Sequence, residues 1–274
     1  MKKKILLTGA DGFIGTYLKQ QFSLNNYDLV SVGSPNKVLP NSESCDLSEP
    51  KELIELLCRV KPLIVINLAA KIDFKLHNIS ESFGVNTLCP GIIADYCLKN
   101  DAMHIQASSI SVNGTDEVNY NIDTPLNPNN YYGESKLIAD KLIIASGCKH
   151  SILRFGGIFG LNGSKHPGIN VAITEASKGK VPFIVGSGMA KRNYVWVMDA
   201  ATAIIKCVQH EITGVQYIGG EIKTIKSMIS DICSVFTPNH NPTTIKGREI
   251  NDQIIDINDN FQITPFRTAL EKMN

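Results

Sequence analysis

The chain has 274 residues, of which 43% are hydrophobic and 19% charged, and its formal net charge is +1. That length suits one large domain or a domain with a smaller partner, and the composition suits a water-soluble globular protein. A charge so near zero argues against an electrostatic nucleic-acid binder, and no apolar run approaches the roughly 18 residues of a membrane-spanning helix.

Met1-Lys2-Lys3-Lys4 has the charge of a signal-peptide start, but the apolar run Ile5-Leu6-Leu7 stops at Thr8-Gly9, too short for an export segment. The seven cysteines (Cys45, Cys58, Cys89, Cys97, Cys148, Cys207 and Cys233) form no CxxC pair and no metal-ligand spacing. Most fall in apolar patterns, where a free thiol behaves as a small hydrophobe. The expectation is a reduced, cytoplasmic protein without structural zinc.

In chain order, Lys4-Ile5-Leu6-Leu7-Thr8 is apolar without alternation, as in a strand buried on both faces. Glycines follow, then a helical pattern over 13–24, a turn at Asn25-Asn26 and a strand over 29–32. Ser48-Glu49-Pro50 opens a helix running to Leu57, with Ser48 as its N-cap and Pro50 in the first turn. A strand over 63–68, a helix over 82–98, a strand over 104–108, a helix over 131–145 closed by Gly147 and a strand over 151–155 complete the alternation. This is the α/β pattern of a doubly wound parallel sheet, a Rossmann domain over 1–155 to which later segments return. From Gly156 on, glycines and prolines thicken and the elements shorten, so 156–274 reads mainly as a smaller C-terminal lobe for substrate contacts.

Thr8-Gly9-Ala10-Asp11-Gly12-Phe13-Ile14-Gly15 joins the first strand to the first helix. Gly9 permits a tight turn, Gly12 lets a pyrophosphate approach the backbone, and Gly15 lets the helix pack on the sheet. The helix that Phe13 and Ile14 open presents free N–H groups to phosphate. The spacing is GxxGxxG, and its place between a buried strand and a helix points to a dinucleotide site; the alternative is a plain strand–helix turn. An acid at the end of the second strand would bind the ribose 2′-hydroxyl of NAD. Here the strand ends in Gly33-Ser34, with Lys37 shortly after, so NADP is favoured and NAD remains open. Asp46-Leu47 follows the third strand, where Asp46 is placed to accept from the adenine amino group.

Tyr132-Gly133-Glu134-Ser135-Lys136 sets a phenol and an ammonium on one helical face. A nearby cation stabilises phenolate, which makes the pair a proton-transfer device, although a solvated helix face has the same spacing.

The glycine turn, Asp46-Leu47, Asn67-Leu68-Ala69-Ala70, Ser108-Ser109 and Tyr132-xxx-Lys136, in this order, resemble the extended short-chain dehydrogenase/reductase family of NAD(P)-dependent sugar epimerases, dehydratases and reductases. Arg192-Asn193-Tyr194-Val195-Trp196-Val197-Met198-Asp199 is similar to that family's later R-D-(F/Y)-(V/I)-H-V-x-D block. The resemblance implies Ser109 as the catalytic hydroxyl, with Ser108 and Ser111 as competitors. It implies Tyr132 as general acid and base, with Tyr131 as rival, and Lys136 holding the nicotinamide ribose and depressing the Tyr132 pKa. Ala69 and Ala70 would pass under the cofactor, Asn86 would fix backbone near the substrate site, and Arg192 would bind a substrate phosphate. Within the family the chain is similar to the short reductases of the dTDP-4-dehydrorhamnose type, through Pro125-Leu126-Asn127-Pro128 and its modest length. Three positions depart from the pattern: Asn113 replaces a tyrosine, Trp196 a histidine, and Gly156-Gly157 stand where an Asn or Trp is frequent. The implied activity is reduction of a keto group on a nucleotide sugar. A nucleotide-sugar epimerase with tightly bound NAD and a non-catalytic NADP-binding regulatory subunit are the alternatives. The apolar residues Leu137, Ile138, Leu142 and Ile143 on the Tyr132 helix suggest a homodimer.

Overall fold

In the computed structural model the first apolar run forms strand β1 (Lys4–Thr8), with Ile5, Leu6 and Leu7 fully buried. The structure describes residues 3–22, 27–33, 42–72, 74, 78–165 and 167–274. On one side β1 pairs in parallel with β2 (Asp28–Gly33), which carries the three-residue β3 (Ser42–Ser44). On its other side it pairs in parallel with β4 (Ile64–Asn67), which carries β5 (Met103–Ser109). The strands Lys149–Phe155 and Gly214–Ile218 complete a seven-stranded sheet beyond β5. The chain winds outward from β1 in both directions, so the strand order reverses between β1 and β4. In such sheets ligands bind beyond the carboxyl ends of the strands at that reversal. Leu68 N–H donates to the Thr8 carbonyl at 3.3 Å there, which holds the two strand ends together.

Helices α1 (Phe13–Phe22) and α2 (Pro50–Val60) follow β1 and β3. The core of this part joins Leu6, Val32, Leu53, Val65, Ile93 and Ile152, together with four of the cysteines. All seven cysteines are free thiols and all but Cys58 are buried, as small apolar side chains are. Ser48 does not cap α2. Its backbone N–H and hydroxyl both bond to Asp46 Oδ1, at 2.9 and 2.6 Å, so Glu49 occupies the N-cap position without a side-chain bond and Pro50 opens the helix.

The single helix expected over 82–98 is three pieces. A short α3 (Ile79–Phe83) runs into a π turn (Gly84–Leu88) and then into α4 (Cys89–Lys99). Pro90 has no N–H to give, and its ring would crowd the carbonyl four residues back in a regular helix; a widened turn relieves both. Helix α5 (Tyr131–Ser146) begins where Asn130 Oδ1 accepts from Gly133 N–H at 2.9 Å. It ends at Gly147, whose φ of 75° suits a left-handed cap.

The chain forms two compact units. The first comprises Met1–Gly114, Pro125–Arg154 and Ala201–Gln216; the second comprises Thr115–Thr124, Phe155–Ala200 and Tyr217–Asn274. The second unit has its own core, including Phe159, Ile173, Met228, Ile232, Phe266 and Leu270, with the Phe159 and Phe266 rings 4.7 Å apart. Its strands are short: Asn119–Tyr120 pairs with Ile254–Ile255, and Phe183–Val185 pairs with Thr243–Ile245. Among the described residues no helix is long and apolar enough to cross a membrane.

A side chain does part of the work of a strand partner in this unit. Buried Asn193 donates to the Ile255 carbonyl at 2.7 Å and accepts from the Ile255 N–H at 3.0 Å. Asn193→Ala leaves both groups of Ile255 buried and unpaired. It is expected to lower the unfolding free energy by about 2–4 kcal/mol, measured by urea denaturation of both proteins.

Candidate active site

Three glycines shape the turn after β1. Gly9 has φ +65°, and a Cβ there would lie 2.7 Å from the Ala69 nitrogen. Gly12 N–H donates to the Gly9 carbonyl at 3.0 Å, and a Cβ on Gly15 would come within 2.2 Å of that same oxygen. The turn therefore lies flat against the start of α1, which Phe13 and Ile14 open, and the first N–H groups of a helix have no acceptor within it. A glycine turn packed this closely, at a helix N-terminus, has the chemistry to accept a dinucleotide pyrophosphate. Ala69 and Ala70 follow β4 directly, Ala69 half-buried beside Gly9 and Ala70 exposed. Ser34 and Lys37 lie outside the described residues. Asp46 and Leu47 follow β3; besides accepting from Ser48, Asp46 receives its own constraint through its N–H, which donates to Glu52 Oε2 at 2.9 Å.

A buried row of amides underlies this edge of the sheet. Thr8 Oγ1 donates to Asn67 Oδ1, and Asn67 Nδ2 donates to Gln106 Oε1 at 2.8 Å, so β1, β4 and β5 are joined side chain to side chain. Asn86, on the π turn, is 1% exposed. Its carboxamide makes a two-way clamp on Lys71, accepting from the N–H and donating to the carbonyl, both at 2.8 Å. It also donates to Ser135 Oγ at 3.1 Å, which ties the loop after β4 to α5.

Ser109 ends β5 and caps the short helical turn Ile110–Asn113: its Oγ accepts from Ser111 N–H at 3.1 Å and donates to Ser111 Oγ at 3.0 Å. This turn sits on the first turn of α5, because a Cβ on Gly133 would lie 2.3 Å from the Ser111 carbonyl. The glycine after Tyr132 is thus what lets the serine turn close on the tyrosine helix. Ser108, next to Ser109 in β5, is 5% exposed. Asn113, in the position of a tyrosine in the family pattern, donates to the Pro125 carbonyl at 3.0 Å.

Lys136 is not on a solvated face, and Tyr132 is half-buried. Lys136 is 1% exposed, and Asp140, one turn further along α5, is fully buried. Arg154 Nε donates to Asp140 Oδ2 at 2.9 Å. Burial pulls Lys136 down to about 8, against an upward pull from Asp140. Burial pushes the Tyr132 phenol up to about 12, and the Asp140 charge adds to the rise. The phenol is therefore held in its protonated form, the reverse of the depressed pKa expected from Lys136 alone. Phe74 meets the Tyr132 ring edge to face, with centroids 5.8 Å apart at 71°.

Arg192 lies in the second unit. Its Nη1 donates to the carbonyls of Lys191 and Asn251, at 2.7 and 2.6 Å. The neighbouring departures from the family pattern have packing reasons there. A Cβ on Gly157 would strike the Tyr194 ring at 2.5 Å, one on Gly156 would strike Ile255 Cδ1 at 2.7 Å, and Lys272 lies over the Trp196 ring at 5.5 Å. The second unit also holds a cavity of about 620 Å³ lined by Val171, Phe183, Tyr194 and Ile225 among others, with Arg248 and Lys180 in its wall. Asp140, Arg154 and Phe74 did not emerge from motif reasoning. The signal for Asp140 was present as an acid four residues beyond Lys136 on the same helical face.

The pattern of the NAD dependent epimerase/dehydratase family matches residues 5–219. A Methanocaldococcus jannaschii protein provisionally named UDP-glucose 4-epimerase is 29% identical over 218 residues, 73% of this chain and 71% of its own. The dTDP-4-dehydrorhamnose reductase of Mycolicibacterium smegmatis is 25% identical over 163 residues, 58% of this chain and 47% of its own. The crystal structure of dTDP-glucose 4,6-dehydratase from Bacillus anthracis in complex with NAD superposes with a TM-score of 0.81 at 20% identity, over 99% of this chain and 95% of that one. With the doubly wound sheet, the glycine turn and the Tyr132–Lys136 face all in place, a match over most of its length makes this chain a member of the NAD dependent epimerase/dehydratase family.

Proposed function

We propose that the chain is an NADP-dependent reductase of a keto group on a nucleotide-activated sugar. One observation carries the reading: the turn that Ser109 caps closes on the first turn of α5, which carries Tyr132. A hydroxyl and a phenol brought together in this way can serve one substrate oxygen. The glycine turn binds the dinucleotide through Gly9, Gly12 and Gly15, with Phe13 and Ile14 opening the helix above the pyrophosphate. Bound there, the reduced nicotinamide supplies the hydride. Tyr132 protonates the alkoxide oxygen that results, Ser109 donates a hydrogen bond to the same oxygen, and Lys136 holds the nicotinamide ribose. Ala69 and Ala70 line the dinucleotide, and Asp46 and Leu47 meet its adenine. The absence of an acid between Gly33 and Lys37, and the presence of Ser34, support NADP over NAD. Asn86 positions the backbone next to the substrate. Of the four apolar residues expected to pair helices, Leu137 and Ile143 are buried in the core; Ile138 and Leu142, each 41% exposed, and Ile144 at 47% support a homodimer.

The 29% identity to the protein named as an epimerase supports a second reading, in which the same residues act in both directions with NAD retained. Turnover without added reductant identifies that case. Dinucleotide binding with no turnover on any keto sugar identifies a regulatory subunit, which the intact Ser109, Tyr132 and Lys136 set disfavours.

Tyr132→Phe is expected to cut the rate of NADPH oxidation with a dTDP-4-keto sugar by about 10²–10⁴-fold and to leave the NADPH dissociation constant within a factor of two or so, read by fluorescence titration. Wild-type turnover in that variant would sink the reductase reading. Gly15→Ala, whose Cβ meets the Gly9 carbonyl, is expected to weaken NADPH binding about tenfold or more and to destabilise the fold by about 1–3 kcal/mol. The same titration and a thermal melt check both.

A further inference from the structure

Asn86 and Thr87 are consecutive residues of the π turn, and both reach Ser135 on α5. Asn86 Nδ2 donates to the Ser135 hydroxyl at 3.1 Å, and Thr87 Oγ1 donates to the Ser135 carbonyl at 3.3 Å. All three residues are 2% exposed or less. Neighbours on a regular helix point about 100° apart; the wider π turn brings both to one residue. Ser135 has a single hydroxyl proton, which it gives to the Tyr132 carbonyl at 2.8 Å. Toward Asn86 it can therefore only accept, and this fixes the orientation of the carboxamide. Asn86 is then fully used: one N–H on Ser135, the other on the Lys71 carbonyl, and its oxygen on the Lys71 N–H. A helical serine commonly bonds a carbonyl one turn back and goes no further, whereas this one is also held by a second element. The contacts run on at both ends. Before Lys71, Ala69 lies so close to the glycine turn that a Cβ on Gly9 would be 2.7 Å from its nitrogen. Beyond Ser135, the bonded carbonyl belongs to the residue that carries the phenol.

We propose that Ser135 is a positioning residue that ties the loop after β4 to the Tyr132 helix, so that a dinucleotide seated against Ala69 and Ala70 meets the phenol at a set distance. This rests on the reading of the glycine turn as the dinucleotide site and of Tyr132 as the proton donor. Ser135 is closed to substrate and cofactor; it acts through Tyr132. Without its hydroxyl, one Asn86 N–H loses its acceptor in a site shut off from water. Helix α5 then keeps the Thr87 bond, while its side-chain link to the Lys71 backbone is gone.

The test follows the Tyr132 ring by NMR, with tyrosines labelled at ¹³Cζ and the Tyr132 resonance assigned by its loss in Tyr132→Phe. Saturating NADPH is expected to shift that resonance in the wild-type protein. In Ser135→Ala the shift is expected to be largely lost, while the NADPH dissociation constant stays within about threefold. Ser135→Cys, close to serine in size but a weak acceptor, is measured beside it in case the alanine variant does not fold, and the same loss is expected. Ser135→Thr, whose hydroxyl can take the same bond one turn back, is expected to restore the shift. A wild-type resonance that ignores bound NADPH, or a wild-type shift in folded Ser135→Ala or Ser135→Cys, overturns the inference. A folded Ser135→Thr that behaves like Ser135→Ala overturns it too, because packing and not the hydroxyl is then responsible. Failure to bind either NADPH or NADH sinks the dinucleotide reading itself, whereas binding with an unchanged response in the variants sinks only the role of Ser135. The measurement needs no substrate. Where a keto sugar is turned over, Ser135→Ala is expected to lower kcat about tenfold with the KM for NADPH within about twofold; a loss confined to KM overturns the link to catalysis.

Discussion

The Arg154–Asp140 ion pair has to be satisfied from inside the protein, because its two side chains are 4% and 1% exposed. A buried pair of this kind adds little net stability compared with an apolar packing, yet breaking it from one side costs about 3–5 kcal/mol, since the remaining charge is stranded. That asymmetry constrains the architecture around it. The strand Lys149–Phe155 must deliver Arg154, and α5 must present Asp140 inward to meet it. The same inward face of α5 then carries Lys136 and Tyr132. Once the register of α5 against the sheet is fixed by charge, the place of the phenol follows from helical geometry alone.

The sheet edge is fixed by a different physics. Thr8 and Asn67 at the ends of β1 and β4 and Gln106 within β5 are fully buried polar residues, and each answers the hydrogen-bonding need of the next. Leaving one unpaired would cost more than the bond gains, so the row locks the relative heights of the three strand ends. Directly beyond them the Gly9 turn and the Ala69 backbone approach so closely that no Cβ fits. The polar row positions and the glycines permit the close turn at the point where the strand order reverses.

Much of this was legible because local rules and global fold agree. Lys4–Thr8 is short, apolar and followed by glycines, and it could hardly be anything other than a central strand. Elsewhere a tertiary demand overrode the local signal. The residues 82–98 look like one helix, but Pro90 and the inward pull on Asn86 widen it into a π turn. Ser48 has the chemistry of an N-cap, but Asp46 takes its hydroxyl first. Gly156, Gly157, Asn113 and Trp196 read from sequence as losses from a family pattern; each is bound up with a neighbour that only folding brings near, Ile255, Tyr194, Pro125 and Lys272 in turn. The segment Thr115–Thr124, which packs in the second unit although residues before and after it belong to the first, left no mark in composition at all.

The protonation of the centre follows from the same contest between burial and charge. Burial raises the Tyr132 phenol and Asp140 adds to the rise, while burial lowers Lys136 against the pull of Asp140; desolvation is the larger influence on both. Both shifts point to a phenol that starts protonated, and a positive charge bound nearby acts on it in the opposite direction, toward phenolate. Burial of α5 and the charge of whatever occupies the neighbouring turn thus work against each other on the same proton.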